Sequence, residues 1–237
     1  MDHAIWAIFY GLPVDGGKDY LKWFHEVHIP EVLTRKGYLW SAHYEAAYPG
    51  DRYQKITEAR VRSNDPSLES GSGYVALFGG EWSRVFFSPS LTQLKNMMDA
   101  RSREMISLRV RPLEYVYALE WRTEGPESYL KDSRGTPGPV IQIGRFNAPG
   151  CDEEVEVWYA QERMVAVSQT PGCMGGRKLL AAVGPQRHGV LYEFVSLEAR
   201  EAHFVPLEER RETRHFHTVH PPGIHSPFVG RRIWPPG

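Results

Sequence analysis

The chain repeats itself. Asp19–Glu45, DYLKWFHEVHIPEVLTRKGYLWSAHYE, lies over Glu154–Leu180, EVEVWYAQERMVAVSQTPGCMGGRKLL, at an offset of 135 residues with no gap. Asp19 meets Glu154, Trp23 meets Trp158, Phe24 meets Tyr159, Val32 meets Val167 and Gly37 meets Gly172. Further on, Gly73–Phe78 lies over Gly189–Phe194 at an offset of 116, and Tyr115–Trp121 over Phe228–Trp234 at 113. Single identities are few, and the consistent order of the matches carries the case. The falling offsets place an extra segment in the first copy around Asp51–Ser70, a polar stretch expected to be an excursion loop. A chain made of two copies of one unit has few ways to fold: two like domains, or one body with internal symmetry.

Each copy has the same grammar. In the first, strands are expected at His3–Tyr10, Tyr38–Ala47, Tyr74–Phe78 and Tyr115–Trp121. Helices are expected at Gly16–Lys36, ending at Gly37, and at Pro89–Leu108, starting from Ser88-Pro89. The second copy gives strands at Val140–Phe146, Cys173–Ala182, Val190–Ser196 and Phe228–Trp234, with helices at Asp152–Gln169 and near Glu198–Thr213. The order βαββαβ predicts an α+β fold: two tandem ferredoxin-like units, residues 1–124 and 139–237, joined by a Gly/Pro-rich polar linker at 125–138. A four-stranded sheet with both helices on one face leaves the other face bare. The two units are therefore expected to pack sheet to sheet as an intrachain α+β barrel. Fusion keeps this pseudo-dimer together at high effective concentration, and a further homodimer is left open.

Composition narrows the partners. Net charge is -1, from 28 basic and 29 acidic side chains, which argues against a nucleic-acid surface. No apolar run is long enough for a bilayer, so no membrane partner is expected. The start, MDHAIWAIFYGLP, carries an acid where a signal peptide needs a base, and reads as a strand. Two cysteines, Cys151 and Cys173, are too few for a disulfide framework, and a reduced cytoplasmic setting is expected. Seven Trp and twelve Tyr fit either a core built of large rings or the walls of a pocket for a small hydrophobic molecule.

On the first helix, regular α spacing puts Tyr20, Leu21, Trp23, Phe24, Val27 and Val32 on one arc. Lys22, Glu26 and Ile29 fall outside it, and His25 sits at its edge. His28 and Glu31 lie inside the apolar arc, three residues apart, where a polar pair is costly unless satisfied. Pro30 removes a helical donor and is expected to disturb this turn. The next strand alternates Ser41, His43 and Glu45 against Trp40, Ala42 and Tyr44, and either face is able to meet the pocket. In the second copy His28, Glu31, His43 and Glu45 become Arg163, Ala166, Lys178 and Leu180. That exchange fits a scaffold that has lost a site, or cations supplied to an anionic substrate.

The stretch Trp23-Phe-His-Glu-Val-His28-Ile-Pro30 resembles the first-helix signature of EthD-like proteins, in the dimeric α+β barrel superfamily. That superfamily also holds cofactor-free monooxygenases, muconolactone isomerase and heme-binding chlorite dismutases, and the heme-contact patterns of the last are not seen here. The second copy departs from the motif, with Arg163 and Val165 where the first has His28 and Pro30.

The resemblance and the polar pair together imply an enzyme without cofactor, acting on a small hydrophobic, aromatic or polyketide-like compound by proton transfer: a lyase, dehydratase, decarboxylase or isomerase. His28 is expected as acid or base, Glu31 as its orienting partner, and His43 or Tyr44 as a second proton donor. Trp6, Tyr10, Trp23, Phe24 and Trp40 are expected in the pocket wall, with Arg163 toward the substrate. A core histidine, with Glu31 reaching water, is the competing reading. Rival functions are a cofactor-independent monooxygenase, a heme or metal enzyme using His215, His217, His220 and His225, and a non-catalytic binding module. His-x-His suits a metal, but no Cys, Asp or Glu completes the set, so a loop or lid is favoured and no metal is expected. Cys173 lacks a base, and Gly71-Ser-Gly73 reads as a turn.

Overall fold

The computed structural model describes residues 1–47, 50–209, 217–222 and 226–236. Strand β1 (Ala4–Gly11) is buried on both faces. Ile5, Ala7 and Phe9 enter one core, while Ala4, Trp6, Ile8 and Tyr10 enter another. A strand covered on both sides needs apolar residues throughout, which is why AIWAIFY reads as a continuous run. A helix comes next in three stretches: α1 (Gly17–Trp23), a π-turn (Phe24–His28) and α2 (Ile29–Leu33). The first half continues with β2 (Tyr38–Ala46), α3 (Asp51–Glu58), β3 (Tyr74–Gly80), α4 (Leu91–Met97), α5 (Ala100–Ser107) and β4 (Val110–Glu124). The second half gives β5 (Val140–Phe146), α6 (Asp152–Trp158), a π-turn (Tyr159–Arg163), α7 (Met164–Val167), β6 (Cys173–Val183) and β7 (His188–Phe194). It ends with α8 (Leu197–Ala199), a third π-turn (Arg200–Phe204), α9 (Val205–Glu209) and β8 (Phe228–Trp234).

All eight strands close into one antiparallel barrel in the order β1-β3-β2-β8-β5-β7-β6-β4. Each half supplies four adjacent strands, and the two seams correspond: β2 meets β8, and β4 meets β6. Closure leaves no free sheet edge. Trp40, Tyr44, Tyr115 and Tyr117 help fill the interior. The helices lie outside, each half with its own helix–sheet core.

Strand pairing shows how the halves correspond. Gly80 pairs with Ala4 and Tyr38, and Phe194 pairs with Val140 and Cys173. The bulge after Tyr38 recurs after Cys173. Tyr38 and Cys173 stand at the offset of 135 expected from the sequence. Gly80, however, corresponds to Phe194, two residues away from the expected alignment of these strands. A slip of two keeps every side chain on its own face, so the apolar pattern cannot detect it.

Three boundaries differ from expectation. The excursion after β2 contains a helix, α3, which buries Tyr53 and Ile56 against Val205 and Val229. The long helix expected from Pro89 is two helices. Ser90 caps α4 in a capping box with Gln93, and Asp99 caps α5 through the Ser102 amide. The linker is no loose tether but covers one mouth of the barrel. Tyr44 donates to the carbonyls of Pro137 and Gly138 at 3.1 and 2.9 Å, Arg177 donates to Gly135 at 3.1 Å, and the Gly138 amide donates to Glu193 at 3.1 Å. Gly37 and Gly172, at φ 86° and 79°, occupy left-handed positions in the corresponding helix-to-strand turns.

Candidate active site

The π-turn sets the geometry of the first half. Pro30 has no N–H, and its ring would collide with the Glu26 carbonyl in a regular α-helix; the wider turn avoids that clash. Pro206 stands in the same relation to the third π-turn, whereas Val165 comes after the second and offers no such cause. One extra residue in a turn rotates everything after it by about 100°. Hence Ile29, expected outside the apolar arc, is fully buried, and Val27, expected inside, is 51% exposed. Glu31 is rotated off the buried stripe as well. Its side chain is 60% exposed and lies 3.8 Å from Arg35, so it is no partner for His28. The π-turn thus overturns the neighbour relation that regular spacing implies.

His28 is buried against the rings of Trp23, at 4.8 Å between centroids, and Phe24, at 5.4 Å. Burial, with Arg109 and Arg35 adding to it, lowers its pKa to about 3. It is therefore neutral near pH 7 and too weak a base for efficient proton abstraction there.

The ionisable groups that meet in this half are others. Arg109, just past α5, donates from Nε to the Tyr20 hydroxyl at 2.8 Å. Tyr20 donates to the Tyr10 hydroxyl at 3.2 Å. Tyr10 lies 2.8 Å from His43 Nε2, and His43 Nδ1 lies 2.8 Å from His25 Nε2. Donor bookkeeping orders this chain. Arg109 only donates, so the Tyr20 and Tyr10 protons point away from it, and Tyr10 donates to His43 Nε2. Neutral His43 then carries its proton on Nδ1 and donates to His25. Every O–H and N–H points from the buried cation toward half-buried His25, as a positive charge at one end requires.

Tyr10, Tyr20 and His43 are fully buried. Burial pushes the Tyr10 pKa up, against a lowering by Arg109, and pushes His43 down, aided by His25 and Arg109. Arg109 stacks over Tyr10 at 4.9 Å and Phe24 at 5.5 Å, and its Nη2 is buried without a partner. Both His43 nitrogens are engaged in the chain.

The other expected residues are spread out. Trp6 stacks on Phe78 at 5.0 Å and donates to Glu114 at 3.2 Å, on the helix side of the sheet. Tyr10, Trp23 and Phe24 gather with His28 and His43 there. Trp40 and Tyr44 point the opposite way, into the barrel, and Tyr44 is occupied by the linker carbonyls. Arg163 belongs to the second half. It donates from Nε to Tyr192 at 2.9 Å and pairs with Glu208, which also takes Arg60 at 2.6 Å. A cavity of ≈ 30 Å³ lies beside this trio, between helix and sheet, with Phe146, Tyr159 and His220 in its wall. Sequence reading missed Tyr20 and Arg109 as polar partners. Tyr20 falls on the apolar arc, and Arg109 comes after a helix whose end carries no motif.

At the place of His43, the second half has Lys178. Its ammonium contacts Glu156 at 2.8 Å, Glu120 at 3.1 Å and His188 at 3.2 Å, and His188 contacts Asp152 at 2.7 Å. Among the described residues no group of three or more His, Cys, Asp or Glu is placed to hold a metal ion. His215 and His225 lie outside the described residues. His217 accepts from the Cys151 thiol through its carbonyl, at 3.1 Å.

No family model matches the sequence, and no curated protein matches it. Solved structures do match over almost the whole chain. A candidate chlorite dismutase superposes with a TM-score of 0.56 at 13% identity, covering 98% of this chain and 96% of that one. An anthrone oxidase-like protein gives 0.56 at 11% identity, covering 98% and 92%. A candidate monooxygenase from Lactobacillus acidophilus NCFM gives 0.52 at 9%, covering 98% and 94%. At these identities the likeness is one of fold, the α+β barrel, and function must be argued from the site.

Proposed function

We propose that this protein is a cofactor-independent enzyme, EthD-like in type, that removes a proton from a small hydrophobic ring compound. In this reading the chain is a tandem fusion of two ferredoxin-like units, and the first carries the chemistry. The observation behind it is the ordered chain Arg109–Tyr20–Tyr10–His43–His25. Shifting each proton one place along it releases a proton at His25 and leaves an anion on the tyrosines beside Arg109. Burial holds the Tyr10 hydroxyl above its ordinary range, so the phenolate is a minor form that arises only as the proton leaves through His43 and His25. Once formed beside the fixed guanidinium it is a base strong enough for an acidic ring C–H or O–H. Tyr10 and His43 are then the proton-transfer pair. His28 shapes the aromatic wall with Trp23 and Phe24, and Glu31 has no part in the chemistry.

The fate of the deprotonated substrate separates two outcomes. Rearrangement or elimination from the carbanion gives an isomerase, dehydratase or other lyase. Reaction of an electron-rich carbanion with dioxygen gives a monooxygenase, the reading toward which the named neighbours point. Anthrone is a suitable probe, with acidic ring methylene protons. In D₂O the wild type is expected to exchange these protons faster than buffer does, and Tyr10→Phe and His43→Gln to lose the acceleration. Exchange equal to buffer in the wild type, across anthrone and a panel of phenols, would remove the proposal. Oxygen uptake measured alongside assigns the second step.

A further inference from the structure

Arg145 lies outside both helix–sheet sites. It occupies on β5 the inward-facing place that Phe9 holds on β1, and its guanidinium sits over the rings of Phe9, at 4.2 Å, and Tyr115, at 5.4 Å. The residue is 4% exposed. Nη2 donates to Ser70 Oγ at 2.6 Å and the guanidinium also lies within hydrogen-bonding reach of the Tyr115 hydroxyl, while among the described residues Nη1 is buried with no partner of its own. Among the described residues no carboxylate lies within ion-pair range of it. Burial pushes its pKa down, opposed by Tyr115 and Tyr117 alone. A buried cation without a counter-charge costs several kcal/mol, and native proteins pair such charges.

A second donor lines the same space as Arg145: Ser226 Oγ is buried and, among the described residues, without a hydrogen-bond partner. Arg145 and Ser226 line the same small cavity, of ≈ 10 Å³, together with Ser70, Gly71 and Ser72. A space of that size holds a single small particle, a water or, where the wall gives slightly, a monatomic anion. On the Gly71 side the wall is firmly placed. The Gly71 amide donates to the Arg111 carbonyl at 2.9 Å, and a Cβ at Gly71 would collide with the Gly11 nitrogen and the Val110 carbonyl. The Gly-Ser-Gly turn thus lies hard against the strand ends, where a side chain at Gly71 is not accommodated.

We propose that this cavity binds one halide-sized monovalent anion, chloride in solution, held by Arg145 Nη1 and Ser226 Oγ. Water would satisfy the two donors but would leave the charge of Arg145 uncompensated. The bound anion neutralises the arginine, ties the 70–72 turn and Ser226 to β5, and closes this part of the barrel.

Thermal unfolding in chloride and in gluconate at equal ionic strength tests the proposal, together with a crystal grown in bromide. The wild-type midpoint is expected to rise by about 3 °C at ten times the dissociation constant of chloride. Anomalous density for bromide is expected within hydrogen-bond distance of Arg145. Ser226→Ala and Arg145→Gln should each weaken chloride affinity at least about tenfold. If Arg145→Gln does not fold, Ser226→Ala and the bromide peak decide alone. Equal midpoints in the two salts with no bromide at this place would overturn the proposal, as would a chloride effect that survives both substitutions.

Discussion

His43 and Lys178 hold the same place in the two halves, on β2 and β6, facing the first helix of each. Their surroundings are built on different principles. Around His43 every group is neutral except Arg109 at the far end, and each hydrogen bond passes to the next. Around Lys178 the donors are used up on two carboxylates and a histidine, and His188 is tied to Asp152. The first arrangement leaves room for protons to shift, because Arg109 is hydrogen-bonded to a hydroxyl rather than to a carboxylate, with Glu114 acting on it only electrostatically. The second is a closed ion cluster, in which any proton movement breaks a pair. Equivalent backbones therefore carry an ordered hydrogen-bond chain in one half and an ion cluster in the other.

Acid should load the first half more, through His28 and His43, although burial lowers His188 in the second half as well. Unfolded histidines titrate near 6.5, whereas folded His28 stays neutral down to about 3 and His43 is also well depressed. Between those values the unfolded chain binds more protons, so this contribution to stability is whole above about pH 6.5 and is lost as pH falls. Each histidine is expected to contribute about 1.4 kcal/mol of loss per pH unit in that window. Urea unfolding at pH 7, 6 and 5 measures the slope, and His28→Phe should reduce it by one proton. An unchanged slope in His28→Phe would contradict the burial argument.

Next in size is Lys178→Met, which leaves Glu120, Glu156 and His188 without their cation. A loss of about 3 kcal/mol is expected in urea unfolding. A loss under about 1 kcal/mol would mean that the cluster does little to hold the fold. Tyr10→Phe should lower turnover or proton exchange about 10²-fold, while costing only about 1 kcal/mol of stability. If the same loss of activity accompanied Lys178→Met in a folded protein, the division of labour between the halves would be wrong. The smallest effect is expected for Glu31→Gln: stability within about 0.5 kcal/mol of wild type and turnover within about twofold. A large loss of turnover there would restore Glu31 as the partner of a catalytic His28.

Much of the barrel is legible in the chain. The strands at β1, β2, β5 and β8 fall within a residue or so of the positions read from alternation, and the order of strands is as expected, whereas α3 and the split of the helix after β3 in the first half are not. The site is less legible, for one local reason. Regular spacing assumes 3.6 residues per turn throughout, and the π-turn at Phe24–His28 breaks that assumption at the very residues in question. Pro30 predicts a disturbance of this turn, but the direction of the disturbance is a three-dimensional matter. Strand alternation correctly separates His43 from Trp40 and Tyr44 but cannot say which set faces the helix.

Residue order alone predicts the alternation of strands and helices, a correspondence between the two halves, and, at matched positions, cations in place of imidazoles and apolar residues in place of carboxylates. Those are properties of periodicity and of residue type at matched positions. Which ionisable groups meet is settled only once the chain is folded. Arg109 reaches Tyr20 from 89 residues away, and His43 reaches Tyr10 across 33. Contacts of that range are set by barrel closure and by the rotation of one helical turn, neither of which leaves a local signature in the chain.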